Sequence, residues 1–289
     1  MKYRYVYLLM IVMTVWSATS WGQNVSRPPV WGIAKMTFLV SDFDVARSYY
    51  GRFLGFDEAF SYQSPLGKVV SFKVSDRQFL EFVEDKQVKD KKRMVSVSIE
   101  TEDVEAMRVY LKQKGMQVPD KTLIDGAGNE VITVDDGYGN TIEFIRFVPD
   151  ALHKKSKGKF LSDRRISTAI HHAGLYTALV KDKDPFYVGI MRFNEIIRYP
   201  DDRNEAPTMI YMAMGESAEY IEHFASYNPN FCHPCFLTNN IQETVYTLKE
   251  RRINETLGNP MVGRGNRWIL NIQNPDGTGV EFTEPYRVR

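Results

Sequence analysis

The chain repeats itself. Lys35 and His172 lie 137 positions apart, Ser96 and His233 also lie 137 apart, and Glu143 and Glu281 lie 138 apart, so three separate stretches recur with one period. Within each half the first two of these stretches are equally spaced, by 61 positions from residue 35 to 96 and from 172 to 233. A domain made of paired modules has therefore been duplicated in tandem, and whatever one half builds, the other half is built to match.

Composition bounds what those halves are. With 43% hydrophobic and 25% charged residues the 289-residue chain is an ordinary globular protein, which sets aside disorder, collagen and multi-span membrane classes. The 37 Lys and Arg against 36 Asp and Glu leave a formal net charge of +1, so nucleic acid is not an expected partner. Two cysteines are too few for a disulfide framework, and stability must come from packed cores.

The N-terminus departs from this picture. Lys2 and Arg4 precede an apolar run from Tyr5 to Trp16, followed by Ser17, Ala18, Ser20 and Gly22, in the order of a secretory signal. Residues 1–22 are expected to be removed before Gln23, leaving a secreted or periplasmic protein with no membrane attachment. The run is shorter than the ~20 apolar residues of a spanning helix.

Periodicity predicts a strand over 33–40, a helix over 44–53 ending near Gly55, strands over 69–74, 79–83 and 94–100, a helix over 104–114 closed by Gly115, and strands over 131–134 and 141–147 around the turn at 135–140. That makes two βαβββ-like units in a domain over 31–148. The basic stretch from His153 to Lys159, with Arg164 and Arg165, reads as a solvated linker over 149–166. A second domain over 167–286 follows, with strands at 170–178, 209–214, 220–224, 231–238, 268–272 and 279–283 and helices at 185–193 and 241–252. The fold class is α+β, with four βαβββ modules.

The residues also carry a resemblance. The strand leading through Met36 to Asp42, the aromatic pair Tyr49 and Tyr50, and the helix exit Leu54, Gly55, Phe56 resemble the opening of the vicinal-oxygen-chelate superfamily, which includes glyoxalase I, methylmalonyl-CoA epimerase and extradiol dioxygenases. The stretches from Gly139 to Phe144 and from Asn274 to Phe282 resemble its closing turn and its last strand, which ends in a glutamate. The resemblance implies two cup-shaped domains with metal ligands on the first and last strand of each module. In the second half those positions are His172, Glu222, His233 and Glu281. Two imidazoles and two carboxylates suit a divalent ion such as Zn, Ni, Mn or Fe, with two positions left for a chelating small-molecule substrate.

The first half is an internal control. The same positions hold Lys35, Glu81, Ser96 and Glu143, and residues 31–148 contain no histidine, so a lysine paired with two carboxylates is expected where the second half has its ion. His171 and His223 adjoin mapped residues, but neighbours on a strand face opposite ways, and the spacing to Phe186 and Tyr187 selects His172 over His171. His223 then reads as a surface or interdomain residue. Cys232 and Cys235 form a Cys-x-x-Cys pair inside an apolar strand, without the helix start that a redox motif needs, although a disulfide at a kink by Pro234 stays open.

Two enzyme classes fit an ion with two open positions. An isomerase or lyase would use it as a Lewis acid, with Glu222 or Glu281 moving a proton. An extradiol dioxygenase would hold Fe(II) on His172, His233 and Glu281. The resemblance implies a tyrosine where Asn271 stands, and no histidine lies between His233 and the C-terminus, so the isomerase or lyase reading is preferred. A third reading is a non-catalytic binder like the bleomycin-resistance proteins of the same superfamily, which fits the first cup best. Arg264, Arg267 and Trp268 are candidate substrate contacts.

Overall fold

The computed structural model describes residues 25–88, 92–226, 228, 231–251 and 257–288. The stretch read as a signal, 1–22, lies outside the described residues. Among the described residues no helix is long and apolar enough to cross a membrane.

The first half contributes β1 (Val30–Val40), β2 (Asp57–Ser64), β3 (Gly67–Lys73), β4 (Phe79–Glu84), β5 (Met94–Thr101), β6 (Leu123–Ile124), β7 (Glu130–Asp135) and β8 (Thr141–Arg146). The second contributes β9 (Ile170–Thr177), β10 (Asn194–Tyr199), β11 (Met209–Ala213), β12 (Tyr220–Ala225), β13 (His233–Leu237), β14 (Met261–Val262), β15 (Trp268–Gln273) and β16 (Gly279–Thr283). Each set forms one eight-stranded sheet, in the orders β2-β3-β4-β1-β5-β8-β7-β6 and β10-β11-β12-β9-β13-β16-β15-β14. The two orders are the same topology written twice, as the period requires. Two βαβββ modules thus lie side by side in each sheet, joined where β1 meets β5 and β9 meets β13, both antiparallel.

Alternation along the strands separates two layers. Met36, Phe38 and Val40 of β1, Leu80 and Phe82 of β4, Ala173 and Leu175 of β9 and Phe282 of β16 all enter one continuous apolar cluster that spans both halves. The helices close that layer. Phe43–Ala46 is α-helical, capped by Asp42 accepting from the Val45 amide, and runs into a π-helical turn over Arg47–Phe53 that buries Tyr49, Tyr50 and Phe53 together. Its counterpart Pro185–Ile190 is π-helical as well, capped by Asp184. The longer helices Val104–Gln113 and Ile241–Glu250 start at Asp103 and Asn240, whose side chains accept from first-turn amides.

The halves are tied together by a symmetric exchange. Tyr187 Oη donates to Asp136 Oδ2 at 3.1 Å in the last turn of the first half, and Asn274 in the last turn of the second half donates to Tyr50 Oη at 3.4 Å. The Ser41 amide also donates to Asp276 Oδ2 at 2.9 Å.

Four strands were not anticipated. β2 and β10 are half-exposed edge strands rich in polar residues, and β6 and β14 have two residues each, so none presents an apolar alternation. The basic stretch expected to be a solvated linker is a further correction. Leu152–Lys155 forms a short helix that buries His153 among Phe60, Phe79 and Phe147, with ring centroids 4.7 to 4.8 Å away. The fully buried Lys73 ammonium reaches back to this segment and donates to the Ser156 and Lys159 carbonyls.

Candidate metal centre

The face of each sheet opposite the apolar layer lines a cup, and its four central strands each deliver one polar side chain to the floor. In the second half these are Glu222 on β12, His172 on β9, His233 on β13 and Glu281 on β16, all buried. His172 Nε2 lies 3.3 Å from Glu222 Oε2 and 3.5 Å from Glu281 Oε1, and His233 Nε2 lies 3.9 Å from an oxygen of each carboxylate. The donor atoms of His172, Glu222 and His233 fall within 4.8 Å of one another.

Each imidazole is aimed. His233 donates from Nδ1 to the Phe231 carbonyl at 2.8 Å, which leaves the Nε2 lone pair facing the carboxylates. His172 is held by rings, with Tyr220 stacked on it at 4.7 Å, Tyr211 tilted against it at 5.8 Å and the two tyrosines stacked on each other at 4.7 Å. Both His172 nitrogens and His233 Nε2 are buried without a hydrogen-bond partner. Orphaned lone pairs of this kind are costly unless something fills the space between them.

Charge points the same way. Burial, aided by Arg267, holds the His172 imidazole down at about 3, and burial lowers His233 against the pull of Glu222, which favours the neutral form of both rings. Burial raises the Glu222 carboxyl, and burial together with the charge of Glu222 pushes Glu281 up to about 8. Arg264 at the cavity wall lowers the Glu222 carboxyl only in part, and burial still outweighs it, so the two buried carboxylates resist ionising together. A divalent cation would supply the remaining positive charge and accept the orphaned lone pairs, so the donor set fits one.

The first cup answers the same problem with a lysine. Lys35 on β1 places Nζ 2.9 Å from Glu81 Oε2, 3.3 Å from Glu143 Oε1 and 3.8 Å from Asp125 Oδ2. Burial opposes the ammonium, but Glu143 and Glu81 raise it well above the ordinary lysine range. Ser96 sits where His233 does, and Thr37 stands between Glu81 and Ser96 in the register where Gly174 stands between Glu222 and His233. One histidine does reach this cup. His153, from the segment after the sheet, puts Nε2 3.1 Å from Glu81 Oε1.

No protein-family profile and no curated protein matches the chain. Solved structures do. The homoprotocatechuate 2,3-dioxygenase of Arthrobacter globiformis superposes with a TM-score of 0.68 at 17% identity, covering 90% of this chain and 81% of that one. A Mn(II)-bound glyoxalase from Novosphingobium aromaticivorans gives 0.68 at 17% identity over 89% and 83% of the two chains. LapB, a 2,3-dioxygenase of a Pseudomonas species, gives 0.69 at 14% identity over 91% and 96%. The fold is that of the vicinal-oxygen-chelate superfamily.

In this vicinal-oxygen-chelate arrangement the second cup opens into a cavity of about 310 Å³ bounded by Tyr176, Tyr211, Phe224, Arg264, Asn271 and both glutamates. Of the three residues expected as substrate contacts, only Arg264 lines it, with its guanidinium over the rings of Tyr199 and Phe224 at 4.9 and 4.6 Å. Trp268 does not. Ile269 and Asn271 face the cup, so parity turns Trp268 into the apolar layer. Arg267 does not line the cavity either, and its Nη1 lies 3.3 Å from His171 Nε2. His223 is interdomain, with Nδ1 3.4 Å from Asp184 Oδ2 and its ring against Tyr138 and Tyr187.

Sequence reading missed Tyr211, Tyr220 and Cys235. Cys232 and Cys235 are free thiols that face apart, Cys232 Sγ accepting from the Tyr176 amide and Cys235 lying in the cup beside Glu281. The signal was present, since Cys235 is two residues from His233 and shares its face.

Gly174 makes the site possible by having no side chain. A Cβ there would overlap the His233 ring. Gly174→Ala is therefore expected to displace His233 and to weaken divalent-ion affinity by about 10- to 100-fold, which titration calorimetry of the full chain measures. Unchanged affinity would show that His233 is not held as a ligand.

Proposed function

We propose that the protein binds one divalent metal ion in the second cup and acts on a small substrate bearing a carbonyl or hydroxyl oxygen, as an isomerase or lyase. The observation that carries this reading is the position of Glu222, whose Oε2 is 3.3 Å from His172 Nε2 and 3.9 Å from His233 Nε2. It is a second carboxylate on the floor of one small cavity. A bound ion would serve as a Lewis acid toward the substrate oxygen. Of the two carboxylates, one can then ligate while the other takes a proton from substrate carbon and returns it, a task for which a carboxyl raised by burial is suited. Arg264 at the cavity wall orients an anionic or carbonyl group, and the apolar Phe224 and Met209 limit water.

A second reading draws on His172, His233 and Glu281, which by themselves form a two-histidine, one-carboxylate set, and on the 2,3-dioxygenases among the structural neighbours. Glu222→Gln separates the two. Under the isomerase or lyase reading, the substitution weakens ion binding or removes proton-transfer activity by about 100-fold or more. Under the dioxygenase reading, the Fe(II) form consumes oxygen with catechols and continues to do so after the substitution. Oxygen uptake over a panel of catechols, in wild type and Glu222→Gln, is the measurement, and robust uptake in both proteins overturns the preferred reading.

The first cup is proposed to hold no ion, because Lys35 occupies the space between its carboxylates. The expected stoichiometry is one ion per chain.

A further inference from the structure

Two donor sets overlap on the floor of the second cup. His172, Glu222 and His233 form one, and His172, Cys235 and Glu281 form the other, each with all its donor atoms within 4.8 Å. Cys235 is central to the strand registers, standing opposite His172 across the β9–β13 pair and opposite Glu281 across the β13–β16 pair. Its Sγ is 3.3 Å from Glu281 Oε1, and it is fully buried. His172, shared by both sets, has two buried nitrogens with no hydrogen-bond partner.

The duplicated half shows what this position needs when no ion is involved. Ser98 occupies it in the first cup and donates from Oγ to Glu143 Oε1 at 2.7 Å, and Lys35 stands opposite it as His172 stands opposite Cys235. A hydroxyl is enough to orient the glutamate. The hydrogen bond therefore does not account for sulfur, and sulfur occurs in the half that also carries the two histidines. What a thiol adds over a hydroxyl is a polarisable anionic ligand for borderline and soft ions.

We propose that Cys235 is a metal ligand, and that the second cup holds a thiophilic divalent ion on His172, Cys235 and Glu281. The inference rests on the metal reading of this cup. Binding exchanges the S–H bond for a sulfur–metal bond and releases one proton to solvent per ion, with no oxidant or reductant involved. With metal–sulfur and metal–nitrogen bonds of about 2.3 and 2.0–2.1 Å, donors within 4.8 Å of one another close on an ion by small side-chain shifts. His233, whose Nε2 is 3.9 Å from Glu281 Oε2, joins the same ion, and Glu222 remains at the open side, where substrate arrives.

Co(II) added to the full chain provides the test, because its visible d–d bands report the bound ion and a near-ultraviolet charge-transfer band reports a thiolate ligand. Both are expected in wild type and in Cys232→Ser, whose thiol faces away. Cys235→Ser, which copies the first half, should keep the d–d bands, lose the charge-transfer band, and bind Cd(II) on the order of 100-fold more weakly while Mn(II) affinity changes by less than about three-fold. Should Cys235→Ser fail to fold, the wild-type and Cys232→Ser spectra decide alone. Bound Co(II) without the charge-transfer band overturns the cysteine ligand and leaves the metal reading intact. No Co(II) bound at all overturns both.

Discussion

His172→Ala and His233→Ala are each expected to lower divalent-ion affinity by about 100-fold or more, because each removes a nitrogen proposed as a ligand, which the fold has already desolvated and aimed. His233 arrives oriented through the Phe231 carbonyl, and His172 through the Tyr220 and Tyr211 rings. His171→Ala and His223→Ala are expected to change the affinity by less than about three-fold, since strand alternation turns both away from the donor set. The His223 variant should instead lose about 1–3 kcal/mol of stability, because its ring fills a buried polar junction against Asp184, Tyr138 and Tyr187. Calorimetric titration of Mn(II) into the four variants, together with their urea midpoints, checks both halves of the statement. Equal losses for His171→Ala and His172→Ala would mean that the register of β9 is one residue out.

That prediction is legible in the sequence, and the reason is physical. The period of the chain equates His172 with Lys35 and His233 with Ser96, and alternation then fixes which of two adjacent histidines shares a face with the glutamates. All four positions fall on the central strands of a sheet, where registers are tight and side-chain direction follows from sequence number alone. Parity applied to the next strand would have excluded Trp268, which lies one residue from Ile269 and three from Asn271 and therefore faces the apolar layer. A tryptophan beside arginines suggests a binding surface by composition, and composition does not carry direction.

Other features had no local signal. β2 and β10 are edge strands held on one side by a neighbour, so their side chains are mixed and half-exposed and their pattern is that of a loop. His153 sits in a run of lysines that reads as solvated, and it is buried because the chain turns back under the first sheet and Lys73 grips two of the segment's carbonyls. Nothing short of the tertiary path reveals that contact. Cys235 is a different case, since the Cys-x-x-Cys spacing to Cys232 carries no information about the cup while its parity with His233 places it there.

Lys35→Met should show how much the first cup depends on a fixed cation, and a loss of about 3–5 kcal/mol at pH 7 is expected because a buried carboxylate is left without its partner. Glu81 is fully buried, and burial alone would push its carboxyl up; Lys35, His153 and the Tyr62 hydroxyl outweigh that and hold it down at about 2. A carboxyl depressed in the folded state stabilises the protein above its ordinary value of 4.5, and the contribution is lost as pH falls from there toward about 2. Wild type should therefore weaken across that acidic window. The variant has the opposite slope, because without the ammonium the same burial favours the protonated carboxyl, so its deficit narrows as Glu81 takes up a proton. Urea unfolding at pH 7 and pH 3 measures both terms. A variant as stable as wild type at pH 7, or a deficit that does not shrink by pH 3, would show that the lysine is not what neutralises the first cup, and would remove the argument that the second cup needs a metal ion in its place.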